Sequence, residues 1–347
     1  MQTAESPVGT RPSRPSDAPL LEVDDLTMEY QTEEGSVSAV QDVSFTLHSG
    51  EALGLVGESG CGKTSVAMAL LRLQADNAQF RNGEVRLNGE NLLALSEDEM
   101  RTHRWSDISM VFQGAMNAWN PVQRVGDQIK EAIDLHIKPR LTAADTRERM
   151  EELFRLVGVD PKMLDRYPHE FSGGMRQRAI IAMALSCDPQ LIIADEPTTA
   201  LDVIVQDQIL AQLKRIQHEL GMAMIYISHD IAVIAEVTDT IGVMYAGRIV
   251  ELGSTREVFQ RPKHPYAYLL LNSAPSITGP RRRLAPLKGE PPNLLNPPTG
   301  CRFHPRCPFA TEKCVTDSPP LEDVGGGHLV ECWHWDQVPE ITEMGVA

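Results

Sequence analysis

An eight-residue stretch, GESGCGKT at Gly57–Thr64, joins the apolar run Ala52–Val56 to a helical pattern beginning at Thr64 (SVAMALLRLQ). Few local sequences restrict a fold so strongly. A buried strand must feed a turn tight enough to need glycine, and the turn must open a helix. Gly57, Gly60 and Gly62 let the backbone aim several N–H groups at phosphate oxygens, and the positive end of the following helix adds to that field. Lys63 is then placed to reach the β- and γ-phosphates of a nucleotide, and the Thr64 hydroxyl to ligate Mg²⁺. Ser59, Cys61 and Ser65 complete the positions expected to line the nucleotide.

Other segments carry matching chemistry. Leu191–Glu196 (LIIADE) is four apolar strand residues followed by two carboxylates. Asp195, at the strand's end, is placed to hold Mg²⁺, and Glu196 to orient and deprotonate an attacking water. Gln113 follows the strand pattern Ile108–Phe112 and could touch both Mg²⁺ and that water. His229 ends the run YISH and could sense a γ-phosphate. The stretch FSGGMRQR at Phe171–Arg178 offers Ser172, Gly173 and Gly174, the type of element that closes over a nucleotide held by another subunit. One site is thus expected to be split between two protomers.

Taken in order, these motifs resemble the nucleotide-binding subunits of ATP-binding cassette (ABC) transporters over about residues 20–260. The resemblance makes Gly57–Thr64 the Walker A loop, Gln113 the Q-loop, Phe171–Met175 the signature, Leu191–Glu196 the Walker B strand, Ala200–Asp202 the D-loop and His229 the switch histidine. It also puts Tyr30 where an aromatic ring stacks on adenine, and Asp202 at the shared site. It implies an α/β P-loop NTPase fold, with a mixed sheet, a RecA-like core and an inserted helical subdomain. ATP and Mg²⁺ are the implied ligands, and head-to-tail closure of two such subunits the implied motion. The signature departs from the commoner Leu-Ser-Gly-Gly-Gln: Phe171 and Met175 stand at its ends, while the serine and both glycines are kept.

Within that family the chain is most similar to ATPase subunits of dipeptide and oligopeptide importers. SGGMRQR, IADEPTTALDV, HDIAVIAEVTD, MYAGRIVE, the His264-Pro265-Tyr266 turn and the tail GCRFHPRCPFATEKC carry the likeness. The implied partners are a second ATPase subunit, two transmembrane permease subunits and, indirectly, a substrate-binding protein, which puts the chain peripherally on the cytoplasmic face of the cell membrane. Residues Gly114–Pro121 (GAMNAWNP) depart from the branch's usual Asp-Pro-Met-Thr-Ser-Leu-Asn-Pro on a surface that meets the permease. Import of oligosaccharides or nickel by the same motor therefore stays open. A soluble cassette ATPase acting on ribosomes or DNA, or a redox-sensing regulator, is the reading from another class.

Composition narrows these options. A net charge of −16 opposes general nucleic-acid affinity, which needs clustered Lys and Arg. No run of about 18 apolar residues is present to span a bilayer. Residues 1–19, rich in Pro and Ser, read as a disordered tail; 20–262 as the nucleotide-binding domain, with its helical subdomain at about 115–180; and 263–347 as a C-terminal extension. Four of the six cysteines fall in that extension, at Cys301, Cys307, Cys314 and Cys332, spaced C-x5-C-x6-C-x17-C. The spacing alone leaves structural Zn²⁺, an iron–sulfur cluster and unliganded thiols open. The resemblance to the importer branch implies a 4Fe–4S cluster there, with Zn²⁺ as the alternative. Cys61 and Cys187 are expected to be a small loop residue and a core thiol.

Overall fold

The structure, a computed structural model, describes residues 18–114, 118–199, 201–273 and 287–341. The proposed tail up to residue 17, Ala115–Asn117 and Ala200 lie outside the described residues. Two long strands, β1 (Leu21–Thr32) and β2 (Gly35–Leu47), pair antiparallel through Thr32 and Gly35. The polar stretch 31–36 is mostly strand, because cross-strand pairing outweighs its composition. The central strand β3 (Ala52–Val56) is buried at every residue, as an apolar run between glycines predicts. After helix α1 (Lys63–Leu71) come β4 (Ala78–Leu87) and β5 (Glu90–Asn91), which complete a four-stranded antiparallel sheet in the order β2-β1-β4-β5.

The main sheet is built from β3 and seven further strands: β6 (Ile108–Val111), β7 (Leu191–Asp195), β8 (Ala223–Ser228), β9 (Thr240–Tyr245), β10 (Arg248–Ser254), β11 (Glu322–Asp323) and β12 (Leu329–Val330). Their order is β11-β12-β10-β9-β3-β8-β7-β6, parallel from β9 to β6 and antiparallel on the other side. This is the mixed α/β sheet that the resemblance to ABC nucleotide-binding subunits implied.

Strand period two divides the core. Leu53, Leu55, Ile193, Ile225 and Ile227 join α1 and the antiparallel sheet on one face. Ala52, Val56, Ile192, Ala194, Met224 and Tyr226 pack on the other face with the helical region. That region contains α3 (Val125–His136), α4 (Ala143–Leu156) and α5 (Gly173–Ala184), preceded by a short α2 (Glu97–His103) capped by a Ser96–Glu99 box. The longest helix, α6 (Val203–Leu220), and α7 (Ile231–Ala235) follow β7 and β8.

Helices α8 (Thr255–Gln260) and α9 (Pro265–Ser273) lead out of the main sheet. The extension, which carries a short α10 (Glu312–Thr316), does not trail free. Its hairpin β11–β12 lengthens the main sheet, with Glu251 opposite Val330 and Leu252 opposite Leu329. At that junction Glu251 is fully buried. Its carboxylate accepts the N–H groups of Lys263 and His264, both at 2.8 Å, and lies 2.7 Å from His328 Nε2.

Candidate functional site

The parallel strands end together, and their register decides which side chains meet. Val56 is opposite Ser228, Asp195 opposite Ile227, and Val111 opposite Ala194. The residues just past those ends (Gly57 to Thr64, His229, Glu196 and Gln113) therefore gather at one edge, where open α/β sheets place ligands.

In the loop, Lys63 is buried and its Nζ donates to the carbonyls of Gly57 at 2.8 Å and Glu58 at 3.0 Å. Helix α1 has no side-chain cap and no acidic residue in its first turn, so its N-terminal dipole is left for a ligand. Two glycines are obligatory. Gly57 has φ +153 and a Cβ there would lie 2.2 Å from the Met244 carbonyl oxygen; Gly62 has φ +106 and a Cβ there would lie 2.2 Å from that of Ala39. Ser59 and Gly60 are exposed at the tip, and Cys61 is buried beneath it, where burial pushes its thiol up. The Tyr30 hydroxyl lies 3.4 Å from Ser65 Oγ, which sets the Tyr30 ring beside the start of α1.

Thr64 Oγ1 donates to Asp195 Oδ2 at 2.9 Å. The other oxygen, Asp195 Oδ1, is buried and accepts no hydrogen bond among the described residues. Burial pushes the Asp195 carboxyl up, against the pull of the Thr64 bond. A buried carboxylate oxygen without a donor, beside a threonine hydroxyl, suits the hard-oxygen coordination of Mg²⁺. The loop and these two residues fit a Mg²⁺–nucleotide.

Glu196 follows in the left-handed region at φ +46, its N–H bonded to the Ile227 carbonyl at 2.9 Å. Its carboxylate accepts from Gln113 Nε2 at 2.7 Å and Thr199 Oγ1 at 2.9 Å, and lies 2.8 Å from His229 Nδ1. Burial alone would raise this carboxyl, but the bonds from His229, Thr199 and Gln113 outweigh it and hold it below the ordinary glutamate value. The structure thus brings Thr64 to Asp195, and gathers Gln113 and His229 around Glu196. Thr199 was not foreseen; the repeated Thr of PTT was its only signal.

The signature residues are placed differently. Ser172 is an exposed N-cap of α5, accepting from the Met175 N–H at 3.3 Å, and Gly173 and Gly174 form the helix's first turn. A Cβ on Gly174 would come within 2.8 Å of Val205 Cγ1, so its absence lets α6 approach. Asp202 caps α6, its Oδ1 accepting from the Val205 N–H at 3.0 Å. Within one chain Ser172 and Asp202 serve as helix caps.

The extension reaches the loop. Glu58 donates its N–H to the Tyr266 hydroxyl at 2.9 Å, and its carboxylate receives both ends of the Arg306 guanidinium at 2.6 and 3.0 Å. These partners lie 208 and 248 residues along the chain, so no local pattern could announce them.

The expected 4Fe–4S cluster, and its zinc alternative, are not borne out. Among the described residues no group of three or more His, Cys, Asp or Glu side chains is arranged to hold a metal ion. All six cysteines are free, and three of the four in the extension have local partners. Cys307 Sγ accepts from the Phe309 N–H at 3.4 Å, Cys332 Sγ from the His334 N–H at 3.3 Å, and Cys314 Sγ lies 3.5 Å from Thr311 Oγ1. Burial pushes the thiols of Cys301 and Cys332 up to about 12 and that of Cys307 to about 11, and the neighbouring cysteines add to the rise.

Comparison with known proteins agrees with the cassette geometry. The ABC transporter family matches residues 40–199, and the oligopeptide/dipeptide transporter C-terminal region matches residues 250–314. The chain is 46% identical over 330 residues to the oligopeptide transport ATP-binding protein OppD of Salmonella typhimurium, covering 94% of this chain and 97% of that one. It is 44% identical over 324 residues to the dipeptide transport ATP-binding protein DppD of Bacillus subtilis, covering 92% and 96%. The dimeric ATP-binding cassette MJ0796, solved in a post-hydrolysis state with ADP and Pi, superposes with a TM-score of 0.61 at 25% identity, over 68% of this chain and 99% of that one. The chain belongs to the ABC transporter ATP-binding proteins, in the oligopeptide/dipeptide transporter branch.

Proposed function

We propose that this chain is the ATP-hydrolysing subunit that powers import of dipeptides or oligopeptides. It works as one half of a head-to-tail ATPase pair on two permease subunits, served by a peptide-binding protein. The observation that carries the reading is the convergence at the sheet edge: Lys63 in its loop, Thr64 on Asp195, and Glu196 held by Gln113, Thr199 and His229. No helix among the described residues is long and apolar enough to cross a membrane, so attachment to the cytoplasmic face would be through the permeases. The cassette would occupy residues 20–262 and the extension 263–347.

The bound Mg²⁺ would neutralise phosphate charge and polarise the bond to be broken. Thr64 and the unpartnered Asp195 oxygen would hold it. Lys63 would exchange its bonds to the Gly57 and Glu58 carbonyls for phosphate oxygens, and Tyr30 would support the base. Glu196, kept ionised by its donors, would take the proton of the attacking water, with Gln113 and His229 orienting both. Ser172, Gly173 and Gly174 would face the partner's nucleotide, with Asp202 at the same junction. Closure of the pair then depends on ATP being seated between two chains.

The test is Glu196→Gln in the full chain. Hydrolysis should fall by about 10²- to 10⁴-fold while MgATP still binds and an ATP-dependent dimer accumulates on gel filtration. Turnover at the wild-type rate would remove Glu196 as the base.

A further inference from the structure

Glu58, second residue of the phosphate loop, is gripped from three directions. Its N–H donates to the Tyr266 hydroxyl at 2.9 Å, its carbonyl accepts from Lys63 Nζ at 3.0 Å, and its carboxylate is paired bidentately with Arg306. Arg306 is itself locked. Its side chain is 6% exposed, its Nε donates to the Lys288 carbonyl at 2.9 Å, and its guanidinium sits 5.7 Å from the centre of the Tyr245 ring. Tyr245 in turn packs with Tyr266 and Phe303 in tilted and edge-on contacts, with ring centres 4.7 to 5.4 Å apart. One packed unit thereby joins the end of β9, the start of α9 and the extension. A second tie runs from Arg302 to the Ala246 carbonyl, next to Gly247, whose N–H holds the Cys61 carbonyl at 2.9 Å.

We propose that Arg306 is a positioning residue through which the C-terminal extension shapes the phosphate loop and so sets its affinity for a nucleoside triphosphate. The proposal rests on the reading of Gly57–Thr64 as the nucleotide site. Two effects act in the same direction. The bidentate pair fixes the loop in the form whose N–H groups receive phosphate, and charge-assisted pairs of this geometry are among the strongest side-chain contacts. The guanidinium also neutralises a carboxylate that would otherwise repel a polyanion bound to the same loop. Lysine at 306 would keep the charge and lose the fork.

The experiment measures the Kd of the full chain for MgATP by equilibrium dialysis, together with kcat for hydrolysis and Tm. Arg306→Ala should weaken MgATP binding by about tenfold or more, with a smaller change in kcat at saturation. Arg306→Lys should recover part of the loss. Glu58→Gln should cost less than Arg306→Ala because it removes the repelling charge, and the double variant should bind no worse than Arg306→Ala alone. Trp333→Ala removes an Nε1–H bond to the Asp317 carbonyl at 3.1 Å and a ring face centred 3.3 Å from Lys313 Nζ, both internal to the extension, and should lower Tm and leave the Kd unchanged. Wild-type affinity in Arg306→Ala, or losses that simply multiply in the double variant, overturns the proposal. If Lys63→Ala still abolishes binding in that case, the nucleotide site stands without it; if Lys63→Ala also binds normally, the site itself is refuted.

Discussion

Replacing Glu251 by leucine tests how the extension is held to the cassette. The wild-type carboxylate satisfies the N–H groups of Lys263 and His264 and the ring of His328 in a fully buried position. Leucine accepts none of them. An unsatisfied buried donor costs about 1–3 kcal/mol; at about 1–2 kcal/mol for each of the three, since Lys263 is only half-buried, the group together costs about 3–6 kcal/mol. A buried leucine side chain returns about 1.5 kcal/mol or somewhat more. The net destabilisation should be about 2–4 kcal/mol, concentrated where β10, the start of α9 and the β11–β12 hairpin meet. Native-state hydrogen exchange reads it locally. Amides of 263–268 and 329–331 should exchange about thirty- to a thousandfold faster, whereas those of α4 should not change. Exchange within about threefold of wild type across that junction would refute the hydrogen-bond accounting.

Other expectations can be checked on the same material. Gly62→Ala forces a Cβ to within 2.2 Å of the Ala39 carbonyl at φ +106 and should cost at least about 1–2 kcal/mol, with a more than tenfold loss of MgATP affinity; normal binding by this variant would exclude the loop geometry described. Burial pushes the Glu331 carboxyl up to about 6, against the attraction of Arg248, and above the value of about 4.3 for an unfolded chain. A raised folded value means the folded state takes up the proton, so this contribution is present at acid pH and is lost as pH rises through about 6. The stability difference between wild type and Glu331→Gln should vary with pH in that window, and a flat difference would contradict it.

Some of the site was legible because its chemistry is local. Phosphate binding uses consecutive backbone N–H groups, so Gly57–Thr64 betrays it in eight residues. Asp195 and Glu196 stand out because an apolar strand must end where the carboxylates begin. What could not be read is contact between distant segments. Thr199 is one polar residue among many until the turn after Glu196 folds it back. Strands β11 and β12, two residues each, are too short for periodicity to register, and Arg306 finds Glu58 only because the hairpin and the aromatic cluster dock the extension.

The cysteines make the same point in reverse. Their spacing fixes how far apart the sulfurs are along the chain, not where they point. Folding decided that, and it gives Cys307, Cys314 and Cys332 local N–H and hydroxyl partners. The sequence by itself determined the loop, the strand-end carboxylates and the α/β alternation, because each follows from neighbours within a few residues. The tertiary structure alone decided which donors hold Glu196 and which arginine grips the phosphate loop, because burial and strand register, set by the whole chain, choose those partners.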